Sequence, residues 1–326
     1  LKKCHAHQQA QAHDQPLQLS LEQLPSRIDV ENRLQRLTPY RAPGMDGLSP
    51  QFLKQQGADA AEPIFQLALK MWLTGHEPVQ FKGGRLFSIS KKAFSRDVSH
   101  MRGIMLIDVI GKVMHAIMRQ RFLPYVLRWR HPLQLGGFPK CTTLFATHYL
   151  KEVHLRAQIL QLSFGVLFLD VKSAFHSMIR QLLFGDDVDL PAHLLRLLED
   201  AGCDPSQLQQ EISKASQAFL QQVPVHEQRL IKDAHHSTWF CIPGTTSSFE
   251  TSRGSRPGSP LADIAFNAMM VKVLTKFQEL LQTIPALQNG LCHLGLPAPP
   301  VTWVDDVAVP IVVTEGRLLE PTIQQV

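Results

Sequence analysis

Three carboxylates stand out by type and spacing. Asp305 and Asp306 are adjacent and separate two valine-rich runs, 301–304 and 307–313, while Asp170 closes the apolar run 163–170. Strands that end in carboxylates at one sheet edge bring like charges together, a costly arrangement unless divalent cations neutralise it. Two-metal phosphoryl transfer uses such a cluster, since hard cations take oxygen ligands. Aspartate is also a common turn residue, so the pair alone reads equally as the polar tip of a hairpin.

The elements that would position these groups follow from the pattern. Residues 163–170 read as a strand buried on both faces, being continuously apolar. The runs 301–304 and 307–313 read as two strands joined at Asp305-Asp306. Ser259-Pro260 opens a helix, with serine as cap, proline in the first turn and Asp263 facing the dipole. Its core stripe is Leu261, Ile264, Ala265, Ala268, Met269 and Leu274. Helical spacing marks 21–37, 51–56, 60–73, 109–122, 143–157 and 172–183, with two further helices within 190–222. Residues 84–90 read as a strand, 237–250 as β-prone, and 1–18 as a polar tail.

Composition narrows the class. The chain has 326 residues, 44% apolar and 19% charged, enough for one large core or two smaller ones. Its longest apolar run is too short to cross a bilayer, and no secretion signal opens it. Five dispersed cysteines without a C-x-x-C spacing predict free thiols in a reducing compartment. Net charge is +5, but between Lys82 and Arg130 eleven Lys or Arg meet two acids. That block fits a polyanion-facing surface or, equally, a solvated helix face. Between Asp186 and Glu211 seven acids meet one Arg, which reads as an exposed insertion.

Six segments in order resemble the motifs of non-LTR (LINE-type) retrotransposon reverse transcriptases. LDVKSAF at 169–175 is similar to their first palm motif. GSRPGSPL at 254–261 resembles G-x-x-Q-G-S-P-L, and WVDD at 303–306 resembles Tyr/Phe-x-Asp-Asp. Upstream, RAPGMDG at 41–47, RGIMLIDVIGK at 102–112 and QLGGF at 134–138 match K-A-P-G-x-D-G, R-P-I-S-L-L-N-V-I-G-K and Q-x-G-F. Any one motif is weak; six in order over 20–313 are specific.

The resemblance implies an α+β right-hand polymerase fold, fingers plus palm, with an antiparallel palm sheet packed on helices. Residues 19–160 would be fingers-like, 161–313 palm-like, and 314–326 the start of a further segment. A thumb would lie downstream, so the chain reads as cut short. The implied activity is RNA-directed DNA polymerase, with an RNA template, a DNA primer and dNTPs as partners and neither membrane nor protein partner indicated. Two Mg2+ ions, replaceable by Mn2+, would be held by the catalytic Asp170, Asp305 and Asp306. Lys91, Lys92, Arg102, Phe175 and Gly258 would hold the nucleotide, Phe175 excluding a 2′-hydroxyl. Arg256, Gln134 and Trp303 would meet template or primer. Such an enzyme would work inside the cell, in nucleus or cytoplasm. The departures are Pro257 for Gln, Trp303 for Tyr or Phe, Gly103 for Pro and Pro139 after QLGGF. They motivate the alternative of an inactive remnant that at most binds nucleic acid.

Overall fold

The computed structural model describes residues 19–326 apart from 96, 98–99, 172–173, 179, 185–203, 205, 207–209 and 211–220. It is a mixed helix-and-sheet protein that divides into two compact units, each discontinuous in sequence. One gathers Leu1–Tyr125 with Phe175–Ala262, the other Val126–Ala174 with Asp263–Val326. This departs from the contiguous 19–160 and 161–313 regions expected above, because sheet pairing joins segments far apart in the chain. The tail 1–18 and the helices expected within 190–222 lie outside the described residues, apart from a few positions in the latter.

The first unit opens with helix α1 (Arg27–Gln35). Ser26 Oγ accepts the Asp29 N–H while the Asp29 carboxylate accepts the Ser26 N–H, a reciprocal cap. The single helix expected over 21–37 is split. Leu21–Gln23 forms one 3-10 turn and Pro25 stands between, since proline restricts the residue before it and donates no bond. Helix α2 (Pro50–Thr74) is interrupted at Gly57, whose φ 43 and ψ -110 are not helical, so it runs as the two pieces the sequence predicted. Strands β1 (Gly83–Ser90) and β2 (Met101–Ile107) form an antiparallel hairpin. Helix α3 (Val109–Trp129) buries Val109, Val113, Ile117, Met118 and Phe122, as its spacing predicted. The expected helix 172–183 is two short ones, α5 (Ala174–Ser177) and α6 (Arg180–Phe184). Helix α7 (Val225–His235) leads into β4 (Thr238–Cys241) and β5 (Ser248–Thr251). The sheet order is β2-β1-β4-β5, with β1 and β4 parallel.

The second unit centres on an antiparallel sheet of β3 (Ser163–Asp170), β7 (Asp306–Val313) and β6 (Val301–Trp303), in the order β3-β7-β6. Strand β3 is not the doubly buried strand expected: Phe168 is 73% exposed and Leu169 38%. It lies at the sheet edge, and the valine-rich β7 takes the centre, with every residue after Asp306 buried. Helix α4 (Thr143–Ile159) packs Val153 and Ala157 with Val312 and Leu294. Helix α8 (Ala262–Leu281) starts two residues later than Pro260 suggested, yet its whole predicted stripe is buried. Gly290, on α9 (Pro285–Leu294), lets that helix lie directly against the Val312 carbonyl of β7. Residues 314–326 belong to this unit, where α10 (Leu319–Gln325) packs on β3 and β7 and Gly165 leaves room for Leu319. No described helix is long and apolar enough to cross a membrane. Cys141, Cys241 and Cys292 are free thiols.

Candidate active site

The β3–β7 register sets the arrangement of the carboxylates. Asp170 lies directly opposite Asp306, and Trp303 closes the β6–β7 hairpin opposite Asp306. The turn is therefore Val304 and Asp305, one residue earlier than expected, and Asp306 belongs to β7. Paired residues on antiparallel strands point to one face with Cβ atoms about 5 Å apart. Asp170 and Asp306 thus share a face at the end of the sheet, next to the turn that carries Asp305. Asp306 feels the charges of the other two. Partial burial holds the Asp306 carboxyl above its ordinary value, and the charges of Asp305 and Asp170 push it the same way.

The turn is strained and buttressed. Val304 has φ 59, a left-handed conformation that a β-branched residue adopts only at a cost of about 1–3 kcal/mol. The QLGGF segment supplies the support. Leu135 N–H donates to the Thr302 carbonyl (2.9 Å) and Thr302 N–H to that of Leu133 (3.0 Å). Gly136 has no side chain because one would strike the Val304 nitrogen. Gln134, assigned above to template or primer, is fully buried instead. Its Nε2 donates to the Asn267 carbonyl at 2.9 Å, and Asn267 Nδ2 donates to the Gly136 carbonyl at 2.7 Å. Asn267 escaped the sequence reading, although a polar residue in an apolar helical stripe is a usable signal. Gly136→Ala is expected to shift the hairpin and cost about 1–3 kcal/mol through overpacking. Thermal melting of the variant beside the unaltered chain checks this.

Whether the trio suits magnesium rests on its chemistry. All three donors are hard carboxylate oxygens, Asp170 and Asp306 are exposed and Asp305 is partly so, and they repel one another without a cation. Among the described residues no three His, Cys, Asp or Glu groups are already gathered at one point as a metal cage. The residues fit the ion in type and neighbourhood, and their side chains would have to close upon it.

In the first unit Lys91 and Lys92 are exposed just past β1, where Lys91 N–H donates to the His100 carbonyl (2.7 Å). Arg102 is exposed on β2 opposite Ile89. It points to the sheet face opposite that of Gly103, as alternation requires. A side chain at Gly103 would lie 3.2 Å from His176 Nε2, so glycine in the family's proline position matches the presence of that histidine. Phe175 is half-buried, and its carbonyl accepts the Ser255 N–H (2.6 Å).

Gly258 sits third in a turn closed by Ser259 N–H to the Arg256 carbonyl (2.9 Å), with φ 97. Proline second and glycine third suit a type II turn, so Pro257 stiffens the backbone where the family's glutamine would not. Arg256 is corrected to an internal role: it is 4% exposed, and Nη1 donates to the Phe81 carbonyl (2.6 Å) and Nη2 to that of Ala234 (2.7 Å). Glu77 receives Arg256 Nη1 at 3.4 Å and the His115 Nε2–H at 2.8 Å, while Ser259 Oγ donates to His115 Nδ1 (3.0 Å). Burial opposes the Glu77 charge, but His115, Arg256 and Lys82 outweigh it and keep the carboxyl below its ordinary value. Burial and then Arg256 push the His115 imidazole below its ordinary value, and Glu77 opposes them. The basic block is also smaller than its sequence: Lys82 is buried against Asp233 at 2.9 Å. Arg121 spends its guanidinium on the carbonyls of Gln23 and Leu24.

No protein-family model matches the chain. Over 198 residues it is 29% identical to a Drosophila melanogaster protein described as a 115 kDa protein in the type-1 retrotransposable element R1DM. The similar stretch covers 59% of this chain and 18% of that protein, so the chain spans under a fifth of the relative's length. The likeness supports a retrotransposon-related origin.

Proposed function

We propose that this chain is the polymerase portion of a retroelement protein, an RNA-directed DNA polymerase that extends a DNA primer on an RNA template. The observation that carries the reading is the β3–β7 register. The two segments that resemble the family's aspartate motifs pair so that Asp170 faces Asp306 beside the Asp305 turn. On this reading the three-stranded sheet is the palm and the β1–β2 hairpin belongs to the fingers. A similar stretch in a retrotransposon protein agrees with it.

The chemistry is attack of the primer 3′-oxygen on the α-phosphorus of a deoxynucleoside triphosphate. A new phosphodiester bond forms, the bond to the β-phosphate oxygen breaks, and pyrophosphate leaves while the hydroxyl proton passes to solvent. When bound, magnesium supplies the positive charge that this transfer needs. Asp170 and Asp305 would hold it, with Asp306 in support. Lys91, Lys92 and Arg102, all exposed, would serve as the cations that meet a triphosphate where negative charge develops. Phe175 would exclude the 2′-hydroxyl, and Gly258 would let backbone approach the nucleotide.

Primer extension by the full chain on poly(rA)·oligo(dT) with dTTP tests the reading. Incorporation should require magnesium, cease on chelation and return when magnesium is restored. Incorporation that ignores chelation overturns the proposal. Salt-sensitive nucleic-acid binding with no incorporation would instead identify a non-catalytic binder.

A further inference from the structure

Arg180, which the sequence reading passed over, is among the most heavily bonded side chains described. It is 8% exposed, at the start of α6. Nε donates to the Gly254 carbonyl (2.8 Å), and Nη1 to the carbonyls of His235 (2.7 Å) and Thr251 (2.9 Å). Nη2 donates to Thr238 Oγ1 (2.7 Å), Thr251 Oγ1 (3.0 Å) and the Arg253 carbonyl (3.0 Å). None of these six acceptors is a carboxylate. Burial, with the like charge of Arg256, lowers its pKa to about 10. A buried cation with only neutral acceptors is an expensive way to hold two strands together.

What it holds is a particular stretch. Thr251, Arg253 and Gly254 lead into the turn that carries Gly258. That stretch is zipped to the Phe175 segment, with Gly254 N–H donating to the Met178 carbonyl (2.7 Å) and Ser255 N–H to that of Phe175 (2.6 Å). Gly254, at φ 80, makes the approach possible, since a side chain there would lie 2.7 Å from the His176 carbonyl oxygen. Arg256 anchors the other end through Glu77, Phe81 and Ala234. Gly258 and Phe175, the two residues assigned to the nucleotide's base-and-sugar side, therefore belong to one clamped piece with an arginine at each end.

We infer that Arg180 and Arg256 are positioning residues that hold the 251–258 stretch against the Phe175 segment and thereby set discrimination between deoxy- and ribonucleotides. The sugar-choice half rests on the polymerase reading; the clamp itself does not. Both guanidinium groups are buried and bonded within the fold. Each acts through backbone, which predicts an effect on nucleotide affinity and sugar choice rather than on the chemical step.

The test uses the full chain, with Arg180→Lys and the milder Thr238→Val, which removes one Arg180 acceptor together with the hydroxyl's bonds to Thr251 and keeps shape. Amide hydrogen exchange at Gly254 and Ser255 should accelerate about tenfold or more in Arg180→Lys, while amides of β7 keep their protection. In single-nucleotide primer extension, KM for dTTP should rise about tenfold with kcat little changed, and preference for dTTP over UTP should fall. Thr238→Val should move both readouts the same way by less. Unchanged exchange at Gly254 and Ser255, or exchange that rises uniformly over the chain, overturns the clamp. A fall in kcat alone, with KM and sugar preference unmoved, overturns the discrimination role. If the unaltered chain does not incorporate at all, the polymerase reading and the sugar-choice half fail together, and the exchange arm still decides the clamp.

Discussion

Asp305→Asn is expected to lower primer extension by about a thousandfold or more, equivalent to about 4 kcal/mol of transition-state stabilisation. The amide keeps the size and the turn but removes a negative charge from the trio. Asp170→Asn should act as strongly, and Asp306→Asn less so if that residue only supports the site. Stability separates this from a structural effect. Partial burial and the charges of Asp305 and Asp170 already push the Asp306 carboxyl upward, so removing one of the repelling neighbours should leave the melting temperature unchanged or slightly raised. Activity lost while stability is kept or gained marks a functional group. Incorporation that survives both Asp170→Asn and Asp305→Asn would sink the site assignment.

The second large effect concerns folding and pH, and it comes from α7. Glu227 is 7% exposed, and burial pushes its carboxyl up to about 7, with Arg121 offsetting only part. An acid whose pKa is raised in the fold is protonated there while the unfolded chain has ionised. Its burial penalty is therefore absent below the ordinary value of 4.5 and complete above about 7. That window is worth about 3 kcal/mol. His235, on the same helix, is 3% exposed and pushed down to about 3 by burial, then by Arg256 and Arg180. It stays neutral in the fold, so stability falls as pH drops below 6.5, by about 1.4 kcal/mol per unit. Between pH 4.5 and 6.5 the two slopes oppose each other. Glu227→Gln should remove one of them, raising stability at pH 8 by up to about 3 kcal/mol and steepening the acid-side fall by about 1.4 kcal/mol per pH unit. Urea midpoints at pH 5, 6.5 and 8 measure both, and a variant whose pH profile matches the unaltered chain would contradict the assignment.

These two expectations differ in how visible they were beforehand. Asp170 and the Asp305-Asp306 pair could be read from the chain, because strand ends and a family's motif wording are local patterns. So could the extent of β3 and the buried stripe of α8, since periodicity reports directly on which face is covered, whereas β2 and its hairpin with β1 came only from the structure. Glu227 was not read, although its helical spacing from Leu230, Ile231 and Ala234 sets it on the face that α7 buries; what the chain does not tell is that, among the described residues, no strong partner meets its carboxylate there.

The same division runs through the site. Local sequence determined which residues carry charge, where glycine must permit close approach, and that Pro257-Gly258 would form a tight turn. Tertiary structure decided the register that sets Asp170 opposite Asp306 and moves the turn to Val304 and Asp305, because pairing is a relation between segments more than a hundred residues apart. It also decided that Gln134 and Arg256 look inward while Lys91, Lys92 and Arg102 look out. A long polar side chain carries no local mark of its destination. Whether it reaches water or a buried carbonyl depends on which backbone groups the rest of the fold leaves without partners.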